Sequence, residues 1–447
     1  MLKPQVFKAN DIRGVVGEEW DADGARALGA AFVGAFELVG RSFVMGRDMR
    51  QSGVELAAAF AAGATRAGAS IVDVGMVSTD ELWFASGYLG LPGVQFTASH
   101  NPARYNGIKF CKRDAAPISP RLMARVRELS GQDVPTAAKP GTIRARDVLS
   151  DYTNYLRQLV DLSGVHAMHV VVDAGNGMAG LVTPAVFGPL AVKLTGLYLE
   201  PDGTFPNHPP NPLDPANLVD AQRAVREGGA DLGLVFDGDA DRCFIVDEHG
   251  EVVSPSVIAA LVARDELAHE PGATIVVNTI TSRVVADTVA ACGGRLVTSA
   301  VGHTSVKAHM VAENAIFGGE HSAHYYFREF WGADSGLLAA LTVIGLIARS
   351  GLSMSELAAQ LPAYAASGEL NTAVDDPQAV MAAVAQAFPD GKAAYPDGLF
   401  ITGDGWWVSV RESNTEPLLR LNVEATDEAT MAALRDRALA VIQKEPK

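Results

Sequence analysis

The segment Asp237-Gly238-Asp239-Ala240-Asp241-Arg242 sets three carboxylates on alternate residues between two apolar runs, Leu232–Phe236 and Cys243–Val246. Like charges this close repel unless a cation neutralises them. An all-oxygen ligand set suits Mg²⁺, Mn²⁺ or Ca²⁺ and disfavours zinc and copper. The spacing imitates an EF-hand, with Glu248 at the closing position, but Arg242 stands where the sharp turn needs glycine and both flanks read as strands. The EF-hand is therefore rejected. The plainer alternative is a solvated acidic turn. Arg242 is either held by the acids before it or directed at a substrate anion.

Thr97-Ala98-Ser99-His100-Asn101-Pro102 follows the apolar run Val94-Gln95-Phe96 and precedes a turn at Tyr105-Asn106-Gly107. A serine at a strand-to-loop junction is a candidate nucleophile. No glycine flanks Ser99, so the nucleophile elbow of hydrolases is missing. Side chains alternate along an extended chain, so His100 is expected to point away from Ser99, which argues against a triad. Lys109 is a candidate proton shuttle or phosphate contact; the competing readings are a turn cap for Ser99 and a surface lysine for Lys109.

Gly318-Gly319-Glu320-His321-Ser322-Ala323-His324 lacks zinc-protease spacing and is weak zinc evidence; it also suits sugar hydroxyls, and Tyr325-Tyr326-Phe327 after it reads as core. Arg411-Glu412-Ser413-Asn414-Thr415-Glu416-Pro417 offers a guanidinium, two hydroxyls, an amide and turn N–H groups between two strand-like runs. Such a loop grips phosphate, with a plain capped hairpin as the alternative.

These residues need a frame of several domains, and 447 residues with 48% hydrophobic and 20% charged side chains supply one. Helical patterns alternate with short β-branched runs three times. Ala25–Val39, Ser42–Gly46, Val54–Ala67 and Ser70–Val74 form the first set. Tyr152–Val160 with His169–Val172, and Val257–Leu267 with Thr274–Val277 and Arg283–Ala291, form the second and third. The tail differs, with paired strands at Trp406–Val410 and Leu418–Val423 and a helix over Glu428–Ile442. The expected fold class is α/β: three similar α/β domains with mixed sheets (1–146, 147–252, 253–367) plus a smaller α+β C-terminal domain (368–447). Two loops stand out between these elements, Ser130–Pro140 and Pro201–Pro215.

The net charge of −16 argues against nucleic acid or an anionic membrane surface as partner. It leaves room for a local cationic pocket and a small anionic substrate. Cys111, Cys243 and Cys292 show neither disulfide nor zinc spacing, and Met1–Lys8 has no apolar run, so a reduced, cytoplasmic location is expected. The longest apolar run, Leu337–Ala348, falls short of the roughly 20 residues a membrane span needs, and reads as a buried helix capped by Asp334 or Ser335.

In this order and over the whole chain, the four motifs resemble those of the α-D-phosphohexomutase family, the bacterial phosphomannomutases and phosphoglucomutases. Phe7-Lys8-Ala9-Asn10-Asp11-Ile12-Arg13-Gly14 resembles its amino-terminal signature, although Asn10 replaces a frequent tyrosine and Ile280 falls where some dual-specificity relatives have lysine. The resemblance implies four domains around a central cleft and a reversible interconversion of mannose 6-phosphate and mannose 1-phosphate, extending to glucose phosphates. It implies a phosphoryl group carried on Ser99, a hexose 1,6-bisphosphate as intermediate and activator, and one Mg²⁺ held by Ser99, Asp237, Asp239 and Asp241. Arg13, His100, Lys109 and Arg242 would flank the transferring phosphate, with His100 and Lys109 as acid–base candidates. Glu320, Ser322, His303 and His324 would take the sugar, and Arg411, Ser413, Asn414 and Thr415 the phosphate that is not reacting. The implied partner is a small hexose phosphate, and the protein a monomer or homodimer. Glu-His-Ser-Ala-His resembles the phosphomannomutase loop rather than that of glucosamine-phosphate mutases. Glucosamine phosphate, a phosphohydrolase reaction and non-catalytic sugar or metal binding remain the competing readings.

Overall fold

The structure, a computed structural model, describes residues 1–8, 11–133, 135–412 and 418–443. It forms two compact units, one of Met1–Ile258 with Ser322–Leu357 and one of Ala259–His321 with Ala358–Lys447.

The first unit opens with β1 (Asp11–Val15), α1 (Ala22–Ala35), β2 (Ser42–Arg47), α2 (Gln51–Arg66), β3 (Ser70–Met76), α3 (Thr79–Leu89), β4 (Gly93–Phe96), β5 (Tyr105–Cys111), α4 (Pro120–Ser130) and β6 (Ile143–Ala145). Their sheet runs β1-β5-β4-β2-β3-β6. Strands β4, β2, β3 and β6 are parallel, and β5 is antiparallel to both β1 and β4. Phe32, Phe43, Phe60 and Phe110 fill the core beside it. Helix α1 ends before the Val39 that closes its apolar pattern, while Leu38 beyond it stays buried. It begins at Ala22 because the Asp21 carboxylate accepts from the Gly24 N–H.

A second sheet comes from α5 (Leu149–Gln158), β7 (Met168–Asp173), α6 (Ala179–Phe187), β8 (Val192–Leu197), α7 (Val219–Gly228), β9 (Leu232–Phe236), β10 (Cys243–Val246) and β11 (Val252–Val253), in the order β11-β10-β9-β7-β8. The chain leaves the first unit within α8 (Pro255–His269).

In the second unit, β12 (Thr274–Asn278), α9 (Arg283–Ala291), β13 (Arg295–Ser299), α10 (His303–Ala312) and β14 (Phe317–Gly319) make a third α/β layer, with β12 parallel to both β13 and β14. The chain returns to the first unit for the antiparallel pair β15 (Tyr325–Phe327) and β16 (Ala333–Asp334) and for α11 (Gly336–Ser350). After α12 (Met354–Ala358) the second unit finishes with β17 (Ala365–Ala366), β18 (Leu370–Ala373), α13 (Pro377–Ala387), β19 (Lys392–Ala394), β20 (Leu399–Gly403), β21 (Trp406–Glu412), β22 (Leu418–Ala425) and α14 (Glu428–Ile442). This last sheet is antiparallel throughout. Three α/β layers and a terminal α+β layer are thus present.

The apolar run at Leu337–Ala348 is the buried body of α11, with the Ser335 hydroxyl accepting from the Leu338 N–H. Among the described residues no helix is long and apolar enough to cross a membrane.

Helix α3 begins with a reciprocal cap: the Ser78 hydroxyl accepts from the Glu81 N–H, and the Glu81 carboxylate draws on the Ser78 N–H. Burial, then the charges of Asp80 and Asp147, push the Glu81 carboxyl from 4.5 up to about 8. Below about pH 4.5 Glu81 is protonated folded or unfolded. Between about pH 4.5 and 8 only the unfolded chain ionises, so stability falls as pH rises through that window. Glu81→Gln keeps the cap and removes the titration. Its stability relative to wild type should rise by roughly 3 kcal/mol between pH 5 and pH 8 in paired denaturant titrations; a constant difference would mean that Glu81 titrates normally.

Candidate active site

The hairpin β9–β10 closes through the aspartate loop, with Phe236 paired to Cys243. Asp237, Asp239 and Asp241 are all buried, and their carboxylate oxygens approach within 4.8 Å of one another. Burying three such charges is unfavourable without compensation, and the first unit supplies it from four directions. The Lys109 Nζ, on β5, donates to Asp239 Oδ2 at 2.7 Å and to Asp241 Oδ2 at 2.5 Å. Arg242 donates to Asp237 Oδ2 from Nε at 3.1 Å and from Nη2 at 2.7 Å. The Thr79 hydroxyl donates to Asp239 Oδ2 at 2.6 Å, and the Thr79 N–H, in the first turn of α3, donates to the Asp239 carbonyl at 2.9 Å. A Cβ on Gly336, first residue of α11, would lie 2.8 Å from the Ala240 carbonyl, so the start of a second helix abuts the same loop. Both helix starts turn their positive ends toward the acids.

Ser99 is brought to this loop at the end of β4. Its Oγ donates to Asp237 Oδ2 at 2.6 Å, and Arg242 Nη2 donates to that Oγ at 3.2 Å. A Cβ on Gly238 would sit 2.5 Å from the Ser99 carbonyl, so the serine and aspartate loops are in backbone contact.

The expected outward direction of His100 is not found: Ser99 has φ 48, left-handed rather than extended, and this breaks the alternation and brings His100 Nδ1 to 3.4 Å from Ser99 Oγ. Arg242 Nη2 lies 2.7 Å from the same Nδ1. A guanidinium has no acceptor, so Nδ1 accepts and the ring proton resides on Nε2. Burial, then Arg242 and Arg13, hold the imidazole well below its usual pKa, so it is neutral.

Burial opposes the Lys109 charge, but Asp239 and Asp241 raise its pKa far above the usual lysine value; it is an ammonium, not a base. Burial also opposes the charge of Asp239, and Lys109 with Thr79 more than offsets this, taking its carboxyl below the usual carboxylate range. At Asp237 burial prevails over Arg242 and the carboxyl rises to about 7.

Arg13, on β1, donates to Asn101 Oδ1 at 2.8 Å and to Asp11 at 2.7 Å, which ties it to the serine loop. His324 pairs with Arg242 through an isolated antiparallel backbone bridge, its Nε2 lies 3.7 Å from Asp241 Oδ1, and its Nδ1 shares a 3.1 Å hydrogen bond with the Ser322 hydroxyl. Thus Ser99, His100, Lys109, Arg13, the three aspartates, Arg242, Ser322 and His324 share one site in the first unit.

Glu320, His303 and Arg411 belong to the second unit. Glu320 accepts from Asn278 at 2.7 Å and from the Gly302 N–H at 3.4 Å, beside His303 at the start of α10. Arg411, at the end of β21, is buried and pairs with Glu369 at 2.7 Å, with Glu320 among the charges that act on it. Glu412 turns to Gln378. Ser413, Asn414 and Thr415 lie outside the described residues.

Two groups escaped the sequence reading. Thr79 follows a legible cap, Ser78, but nothing local shows that it reaches residue 239. Asp48 and Arg50, just after β2, look like ordinary polar loop residues; they are buried and bear on the Ser99 loop.

The donor set fits a divalent cation. Asp239 Oδ1 and Asp241 Oδ1 are buried with no hydrogen-bond partner, and all the ligands are hard oxygens. The cluster can hold a metal ion.

Known proteins resemble this chain along its whole length. Profiles described as phosphoglucomutase/phosphomannomutase alpha/beta/alpha domains I, II and III match residues 4–133, 150–250 and 254–364, and that of the C-terminal domain matches 369–441. A phosphomannomutase of Salmonella typhimurium is 38% identical, covering 99% of this chain and 99% of its own. A protein of Xanthomonas campestris named for phosphohexose mutases is 38% identical over 97% of this chain and 98% of its own. The solved structure of a phosphoglucomutase/phosphomannomutase family protein from Burkholderia thailandensis superimposes with a TM-score of 0.92 at 32% identity, covering 100% of this chain and 99% of that one. The chain belongs to the phosphoglucomutase/phosphomannomutase family. It is a phosphohexomutase, an isomerase-class phosphotransferase.

Lys109 neutralises the same carboxylates that a divalent ion would use. Lys109→Met should therefore cost about 3–5 kcal/mol of stability in EDTA, and saturating Mg²⁺ should restore a larger part of it than it adds to wild type. Thermal melts with and without Mg²⁺ measure both. An equal Mg²⁺ increment in the two proteins would show that the ammonium and the ion do not share these ligands.

Proposed function

We propose that this phosphohexomutase interconverts mannose 6-phosphate and mannose 1-phosphate, with the glucose phosphates as a second substrate pair, through a phosphoryl group carried on Ser99. The observation that carries the reading is the Ser99 hydroxyl, held 2.6 Å from Asp237 among three buried acids and two buried cations. Relatives named phosphomannomutase, 38% identical over nearly the whole chain, support mannose over other hexoses.

In this reading phosphoserine 99 donates its phosphoryl group to the free hydroxyl of the substrate. The resulting hexose 1,6-bisphosphate turns end for end, and its other phosphate returns to Ser99. Transfer of this kind is mostly positioning and charge neutralisation. Asp237, Asp239 and Asp241, with an oxygen of the Ser99 phosphate, would hold one Mg²⁺, which supplies positive charge to the phosphoryl oxygens when bound. Arg242 already donates to the Ser99 Oγ and is placed to follow the charge as it moves to that oxygen. Arg13 keeps Asn101, and with it the loop, in register. Lys109, fixed as an ammonium, neutralises the acids. Neutral His100 carries its proton on Nε2 and can lend it to a phosphate or sugar oxygen.

Ser322 and His324, with Glu320 and His303, would read the sugar hydroxyls. Arg411 with Ser413, Asn414 and Thr415 would bind the phosphate that is not reacting. Residues 1–146, 147–252, 253–367 and 368–447 are the four domains of this scheme, each contributing one loop. The enzyme would work in the cytoplasm as a monomer or homodimer.

Coupled assays with mannose, glucose and glucosamine 1-phosphates, primed with the matching bisphosphate, test the substrate. The expected order places mannose and glucose far above glucosamine; preference for glucosamine, or net release of inorganic phosphate, overturns it. Ser99→Ala should lose at least about 10³-fold in kcat, and its intact mass should lack the phosphate present on wild type. Full turnover by that variant would remove the covalent step. Arg411→Ala should raise KM about tenfold or more while kcat changes less; unchanged KM with collapsed kcat would contradict the clamp.

A further inference from the structure

Arg50 is buried, yet it touches none of the atoms assigned to the reaction. Its five guanidinium N–H groups are all used. Nη2 donates to the carbonyls of Ser99 at 2.8 Å and Asn101 at 2.6 Å. Nη1 donates to those of Pro102 at 2.9 Å and Tyr105 at 3.0 Å. Nε donates to the Asp48 carboxylate at 3.2 Å, and that carboxylate also accepts from the Arg50 N–H at 2.9 Å. Four carbonyls of one loop therefore converge on a single cation. Without it their dipoles would oppose each other, and each carbonyl left unpaired would be costly. The loop they belong to holds Ser99 at φ 48, a conformation that L-residues avoid.

The same cation is roofed by the second sheet's connection Pro201–Pro215, a segment that the reaction does not otherwise use. The Phe205 ring lies over the guanidinium, 5.1 Å from its carbon to the ring centroid. A Cβ on Gly203 would come within 2.7 Å of Arg50 Cα and 3.0 Å of the Met49 carbonyl, so this backbone lies directly on the residue.

We propose that Arg50, clamped between Asp48 and Phe205, is the positioning residue that holds the left-handed Ser99 loop in its reactive shape. The proposal rests on Ser99 as phosphoryl carrier. Lysine offers a point charge with three donors and cannot serve four carbonyls and Asp48 together. A displacement of about 1 Å in a reacting group is enough to cost about a hundredfold in rate.

The test uses full-length wild type, Arg50→Lys and Phe205→Ala. For Arg50→Lys, kcat should fall about a hundredfold with KM for the hexose phosphate unchanged, and amide hydrogen exchange across residues 97–107 should rise while the melting transition stays cooperative. Phe205→Ala should move the same two readouts in the same direction by a smaller amount. If kcat per folded molecule and exchange in 97–107 are unchanged in both variants, Arg50 is only a packing residue and the proposal fails. If Arg50→Lys does not fold, Phe205→Ala decides by the same criteria. Wild-type protein without phosphate on Ser99 would remove the carrier reading alone, because hydrogen exchange still reports whether Arg50 orders the loop.

Discussion

Three carboxylates packed into one buried turn are the constraint on which the first unit is built. Their mutual repulsion and lost hydration would unfold an isolated β9–β10 hairpin. Apart from Arg242 at the end of the turn itself, each compensating group comes from elsewhere in the chain. Lys109 reaches Asp239 and Asp241 because β5 runs antiparallel between β1 and β4. Thr79 reaches Asp239 because α3 starts at the loop, and Gly336 lets α11 start there too. The Ser335 hydroxyl that caps α11 also donates to Asp80 of α3 at 2.6 Å, so the two helix starts are bonded to each other. The first two sheets and the returning helix are thus joined at the aspartate loop.

That constraint also shapes the serine. Asp237 is the one acid of the trio with no contact to Lys109 among the described hydrogen bonds, and burial leaves it the least acidic of the perturbed pair it forms with Asp239. Its Oδ2 takes both the Ser99 hydroxyl and Arg242. Arg242 in turn spans Asp237, Ser99 and His100, and its guanidinium fixes the imidazole tautomer. On the proposed reading, a site that accepts a phosphoryl dianion already has its cations immobilised, so little reorganisation is left for the moment of transfer.

Much of this was legible in the chain. Helices α9 and α14 fall on their apolar patterns residue for residue, and α11 on a run with a serine cap. The aspartate loop announced itself because like charges alternate between two apolar strands. What stayed hidden has a common cause. Arg50 meets carbonyls up to 55 positions away, and Thr79 meets an aspartate 160 positions away, and no periodicity encodes such pairings. His100 was misjudged for a related reason: alternation assumes an extended backbone, and nothing in Thr-Ala-Ser-His signals a left-handed serine. The backbone contact between Gly238 and the Ser99 carbonyl, which a Cβ would block, exists only once two distant loops meet.

The second unit solves a milder version of the same electrostatic problem with opposite sign. Arg411 is buried, and a buried cation without a partner is unstable. Glu369 supplies the partner, and it also pairs with Arg420 at 3.1 Å. On the proposed reading, a carboxylate therefore occupies the guanidinium until a phosphate replaces it. Both anions present oxygens to a planar fork, so the exchange keeps Arg411 paired throughout. Part of the phosphate's binding energy is then offset by the Glu369 bond it displaces. A weaker grip suits the proposed reaction, in which the bisphosphate would leave this contact, reverse and return before the second transfer.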